Sequence, residues 1–138
     1  MTAPPLLRVG TDIVDVDRMR TALNRTPRLR ERLFRPDERE YAERVADPAK
    51  RYAARFAAKE ATLKALGRGL GEVPLFDIEV VRSESGAPAI VLHDAAVGAA
   101  SSAGVHQLEL SLTHTDLVAH AIVVAVYSAL GAADYGTA

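Results

Sequence analysis

Between Asp47 and Gly67 the chain carries one segment that reads as helix by every local criterion. Asp47-Pro48 sets a capping carboxylate before a residue suited to the first turn of a helix. The residues that follow are mostly Ala, Lys, Arg, Leu and Glu, and Gly67 supplies the stop. A helix of this composition constrains whatever folds around it. Ala53, Ala57, Ala61 and Ala65 recur every four residues, a stripe of small side chains that a second element can approach closely. Arg51, Arg55 and Lys59 recur at the same spacing as a basic ridge, and Glu60 and Lys64 share one face.

The elements on either side are shorter. Leu6 to Val16, rich in Leu, Val and Ile, reads as a strand, and Asp17 is placed to cap a helix running to Leu23. Short helices are expected around Arg28–Phe34 and Asp37–Val45. After the glycine-rich loop Arg68–Pro74, a hairpin is expected from Asp77–Arg82 and Pro88–Leu92 around Gly86. His93–Ala103 reads as helix ending at Gly104. Gln107–Thr113 alternates apolar and polar residues like a half-buried strand, and Val118–Tyr127 is so apolar that it is expected to be buried. Helices early and hairpins late make the class α+β. No linker divides the chain, so residues 1–138 are expected to form a single domain with its core near 7–128 and solvated ends at Met1–Pro5 and after Leu130.

Charge is unevenly spread. Residues 1–68 hold 16 Lys/Arg against 10 Asp/Glu, and residues 69–138 hold one Arg, Arg82, against 8 Asp/Glu, which leaves the whole chain at −1. A basic half suits an anionic partner such as nucleic acid, a phosphorylated ligand or an acidic protein; it could equally complement the acidic half within or between subunits. The absence of cysteine excludes disulfides, thiolate metal sites and a Cys nucleophile, and is compatible with the cytoplasm, the expected location. The N-terminal segment lacks a signal-peptide pattern, and no apolar run is long enough to suggest a membrane span. Few aromatics and no recognised binding motif argue against a nucleic-acid module.

Two acids stand out as candidates for chemistry. Asp12 lies among Val9, Ile13 and Val14, where a carboxylate is costly unless it meets water, a partner or a metal. Glu60 could be half of an exposed Glu60–Lys64 salt bridge or a metal ligand. A carboxylate pair would suit Mg²⁺, which keeps several waters and takes few protein ligands beside substrate phosphates. Spacing alone does not bring the strand to the helix. His114, at a strand end, is either a structural hydrogen-bonding residue or a ligand.

Three segments in order resemble one family. They are Gly10-Thr11-Asp12-Ile13-Val14-Asp15-Val16-Asp17-Arg18, then Arg55-Phe56-Ala57-Ala58-Lys59-Glu60-Ala61 with Lys64-Ala65, then Leu110-Ser111-Leu112-Thr113-His114. Asp77-Ile78-Glu79-Val80 and Gly86-Ala87-Pro88 lie between them. Together they are similar to the small bacterial holo-acyl-carrier-protein synthases, single-domain 4′-phosphopantetheinyl transferases. The resemblance implies an antiparallel sheet packed with a long central helix, and transfer of phosphopantetheine from coenzyme A to a serine of an apo acyl carrier protein, with Mg²⁺. It implies metal carboxylates at Asp12 and Glu60, a catalytic Lys64, and CoA contacts among Arg55, Lys59, Lys64, Ser111 and His114. Carrier docking would fall on Arg18, Met19 and Arg25, and the assembly would be a homotrimer with sites between subunits. Thr115 separates His114 from Asp116, so Asp116 is given no catalytic role. A CoA-binding paralogue without transfer activity and a metal-dependent phosphohydrolase are the alternatives.

Overall fold

A computed structural model describes residues 6–128; the expected solvated ends lie outside them. Strand β1 (Leu6–Asp15) leads into helix α1 (Val16–Arg25), then α2 (Leu29–Leu33) and α3 (Pro36–Ala42), and the long helix α4 (Ala49–Ala65). A 3₁₀ turn (Leu75–Asp77) precedes the hairpin β2 (Ile78–Arg82) and β3 (Pro88–Leu92), and α5 (Asp94–Ala103), β4 (Val105–His114) and β5 (Val118–Tyr127) complete the α+β order. Two antiparallel sheets result, one in the order β1-β5-β4 and the other the β2–β3 pair.

The main sheet lies on α4, and the reason is steric. Gly10 of β1 faces the helix, and a Cβ there would overlap the Ala61 carbonyl and sit 2.7 Å from the Ala65 amide nitrogen. A glycine on the strand and small residues on the helix therefore allow backbone-to-backbone contact. Ala57, Ala58, Ala61 and Ala65 pack with Ala121, Val123 and Ala125 of β5 in the core. A second cluster gathers Phe34 and Tyr52, whose ring centroids are 4.8 Å apart, with Val16, Met19 and Leu23 of α1.

Three local expectations are corrected. Asp15, not Asp17, caps α1, accepting a bond from the Arg18 amide at 2.9 Å. The long helix begins at Ala49, with the Asp47 side chain accepting from the Ala49 amide at 3.3 Å. The apolar strand β5 is the central strand but is buried on one face only. Ala119, Ala121, Val123, Ala125 and Tyr127 point to the core, whereas Ile122 on the outer face is 38% exposed. Leu7, Val9 and Ile13 of β1 share that outer face and are exposed. No helix among the described residues is long and apolar enough to cross a membrane.

Candidate active site

Successive residues on an α-helix are rotated by about 100°. That rotation sends Phe56, Glu60 and Lys64 to one side of α4 and Arg51, Ala54 and Arg55 to the other. Each side meets a different cavity.

On the first side is a groove of about 580 Å³ in which Glu60 and Asp12 both line the wall, with Phe56, Met19, Leu29, Leu33 and Leu75 as its apolar body. Asp12 reaches it because it lies two residues after Gly10 on the same face of β1, the residue seated against Ala61. Lys64 Nζ donates to the Thr11 carbonyl at 2.9 Å and approaches Asp12 Oδ1 at 3.4 Å. The lysine thus bonds across to the strand rather than along the helix to Glu60. Burial raises the Glu60 carboxyl above the ordinary glutamate range, the Asp12 charge adds to the rise, and Lys64 opposes it. Two partly buried carboxylates that repel each other share one half-exposed lysine. Among the described residues no cluster of three or more His, Cys, Asp or Glu could hold a metal by itself. A two-carboxylate set fits Mg²⁺, whose remaining positions go to water and phosphate oxygens, better than a cation needing a full protein cage.

On the second side is a cavity of about 840 Å³ whose lining includes Tyr41, Arg51, Arg55, Arg82, Ser111 and His114. Arg55 is only 5% exposed, and its Nε has no hydrogen-bond partner. Burial pulls its guanidinium below the ordinary arginine value, and the charges of Arg51 and Arg82 act in the same direction. The cavity is therefore a basic site, with an unpartnered guanidinium nitrogen buried in its wall. Ser111 and His114, at the end of β4, edge this cavity and not the groove that holds Asp12 and Glu60.

The ridge of Arg51, Arg55 and Lys59 is thus not one surface. Lys59 is fully buried; its Nζ donates to Glu38 Oε1 at 2.8 Å, to the Leu75 carbonyl at 3.0 Å and to the Ile78 carbonyl. All three ammonium protons are committed inside the protein, which removes Lys59 from the CoA-contact set. Glu38 in turn accepts from the Arg35 and Val80 amides at 2.9 and 3.1 Å, so the pair ties α3, α4 and the β2 hairpin together. Met19 is also corrected as an open docking residue: it is 6% exposed and packs in the core, where it forms part of the groove wall. Arg18 and Arg25 stand exposed on α1, with Arg18 at the rim of the groove.

Sequence reasoning missed Glu38, Tyr41 and Arg82. Arg82 had a signal, being the one basic residue of an acidic half. Tyr41 and Glu38 had none, because their partners are distant in the chain.

Residues 8–125 match the family model described as the 4′-phosphopantetheinyl transferase superfamily. A holo-[acyl-carrier-protein] synthase of Moorella thermoacetica is 40% identical over 119 residues, which cover 86% of this chain and 93% of that one. One from Beutenbergia cavernae is 44% identical over 120 residues, covering 87% and 97%. Among solved structures, the holo-(acyl-carrier-protein) synthase of Bacillus anthracis in complex with CoA (3′,5′-ADP) superposes with a TM-score of 0.74 at 31% identity, covering 91% of this chain and all of that one. With its sheet, its helix and its three signature segments in that frame, the chain belongs to the holo-[acyl-carrier-protein] synthase family of the 4′-phosphopantetheinyl transferase superfamily.

Proposed function

We propose that this protein transfers the 4′-phosphopantetheine group of CoA to a serine of an apo acyl carrier protein and releases adenosine 3′,5′-bisphosphate. The observation that carries the reading is that Asp12 and Glu60 line one groove, with Lys64 Nζ 3.4 Å from Asp12, in a member of this family. Asp12 and Glu60 would hold Mg²⁺, which when bound supplies Lewis-acid polarisation of the phosphoryl oxygens. The serine hydroxyl attacks the phosphorus joined to pantetheine, and the bond from that phosphorus to the bridging oxygen of the bisphosphate breaks. Lys64 places positive charge where the leaving phosphate gains negative charge. The serine proton leaves to a basic group at the same groove, Glu60 or solvent. Orientation and electrostatics supply most of the rate, as in other phosphoryl transfers.

CoA carries two separated anionic regions, and this chain has two cavities on opposite sides of α4, one able to meet phosphate through Mg²⁺ and Lys64 and the other through its arginines. The basic cavity with Arg55, Ser111 and His114 takes the nucleotide end of the donor. A homotrimer reconciles this with a single bound CoA, by setting one copy's basic cavity against the acid groove of its neighbour. The exposed apolar outer face of the main sheet supports association. Arg18 and Arg25 offer positive charge to an acidic carrier protein, in a cytoplasmic setting.

The test mixes the protein with apo acyl carrier protein, CoA and Mg²⁺ and weighs the carrier intact. The expected result is one added phosphopantetheine, abolished by EDTA, with a trimer in sedimentation. CoA binding without any mass gain on several carriers would overturn the transfer reading.

A further inference from the structure

Three arginines converge on one tyrosine ring in the basic cavity. The guanidinium carbons of Arg51 and Arg55 each lie 4.1 Å from the Tyr41 ring centroid, and that of Arg82 lies 5.2 Å away. Tyr41 also holds two of them by hydrogen bonds. Its backbone carbonyl accepts from Arg51 Nη1 at 2.7 Å, and its hydroxyl accepts from Arg82 Nη1. The three cations come from α4 and β2, and the ring comes from α3.

Such a cluster is electrostatically unfinished. Among the described residues, none of the three arginines makes an ion pair. Asp47, the one carboxylate lining the cavity, is held by Arg20 at 2.6 Å. Glu38, the acid nearest in influence to Arg55, is committed to Lys59. Like charges gathered beside a buried guanidinium are unfavourable unless an anion joins them. The aromatic face offsets part of that repulsion through cation–π attraction and keeps the three forks in one place.

We propose that Tyr41 is a positioning residue for phosphomonoester recognition: it gathers Arg51, Arg55 and Arg82 into one site that reads the 3′-phosphate of the donor. The inference rests on the transferase reading for the identity of that donor. The pyrophosphate of CoA must lie at the transferring centre, beside Asp12, Glu60 and Lys64. The dianionic 3′-phosphate is the anion left over, and several guanidinium donors suit it by charge and geometry.

The test is calorimetric binding of CoA and of 3′-dephospho-CoA, with Mg²⁺ present and carrier protein absent, so that it reads the site whether or not transfer follows. The unmodified protein is expected to bind CoA at least roughly thirtyfold more tightly than dephospho-CoA. Tyr41→Leu is expected to weaken CoA about tenfold while dephospho-CoA stays within about twofold, collapsing the discrimination. Tyr41→Phe keeps the ring and should keep most of the preference. In steady-state assays the Tyr41→Leu loss should fall on KM for CoA and not on kcat. If Tyr41→Leu does not fold, Arg82→Gln replaces it and should cost CoA about fivefold with dephospho-CoA spared. Equal weakening of both donors in a folded variant would overturn the proposal, as would no discrimination by the unmodified protein. A loss confined to KM for the carrier protein would overturn it too, by making the cluster a carrier dock. Discrimination without transfer to any carrier would sink the transferase reading and leave the role of Tyr41 standing.

Discussion

The two sides of α4 are unfinished in opposite senses. On one, Asp12 and Glu60 repel each other with Lys64 as their near cation; on the other, Arg51, Arg55 and Arg82 surround a ring with no free carboxylate beside them. Between the two runs a third region, the Lys59–Glu38 pair, in which every charge is answered. Lys59 and Lys64 stand five residues apart in one signature, yet the first is sealed in the interior and the second stays half exposed. Charge that is completed within the chain serves the fold, and charge left incomplete is what the proposed metal and CoA phosphates would answer.

The largest expected effect tests the acidic side. Asp12→Asn and Glu60→Gln should each lower kcat roughly a thousandfold. The metal-free stability of Glu60→Gln at neutral pH should be unchanged or higher. The sign follows from the raised Glu60 carboxyl: its contribution to stability is present when it is protonated and is lost as pH rises through its folded-state pKa. Measuring turnover and urea unfolding on the same samples checks both halves. Near-normal turnover in either variant would remove the metal assignment.

Next comes the completed pair. Lys59→Met should destabilise the protein by about 3–5 kcal/mol, since it strands a buried Glu38. Whatever remains folded should bind CoA with ordinary affinity. A stable Lys59→Met protein that has lost CoA binding would return the lysine to the ligand site.

A smaller effect is thermal. Saturating Mg²⁺ should stabilise the unmodified protein by about 1–3 kcal/mol at neutral pH. That gain should shrink as pH falls through the raised Glu60 pKa, because the protonated carboxyl no longer binds the cation. Melting curves across pH should show no comparable gain in Glu60→Gln. The smallest change is expected at the exposed rim: Arg18→Ala and Arg25→Ala should each raise KM for the carrier a few-fold, about 0.5–1 kcal/mol. That difference should fade in high salt. A salt-independent change would mean that these arginines act through packing.

Much of this architecture could be read before any coordinates. Composition and the Asp47-Pro48 and Gly67 boundaries mark α4, and the Gly86 turn between two short apolar runs marks the β2–β3 hairpin. The site was less accessible. Local spacing shows Glu60 and Lys64 together but says nothing of Asp12, because the bridge between them is Gly10 lying on Ala61, a contact across the fold. The resemblance supplied the pairing that periodicity could not. Lys59 was misread for a related reason: its place in a basic series suggests solvent, while its burial is decided by Glu38, Leu75 and Ile78. The cap of α1 was missed by two residues because three aspartates, at 12, 15 and 17, compete for the role, and only backbone geometry chooses Asp15.

The pairing of β1 carries a consequence for synthesis. Its described partner in the sheet is β5, in a register that joins Leu6 to Tyr127 and Asp12 to Ala121. Strand β1 therefore waits for a strand translated after every other described element, a long-range closure that chains complete slowly. Until residues 118–127 have left the ribosome, Asp12 has no sheet to hold it against Glu60. A nascent chain would carry the basic helix without an assembled acid pair, and transfer would begin only after β5 has docked.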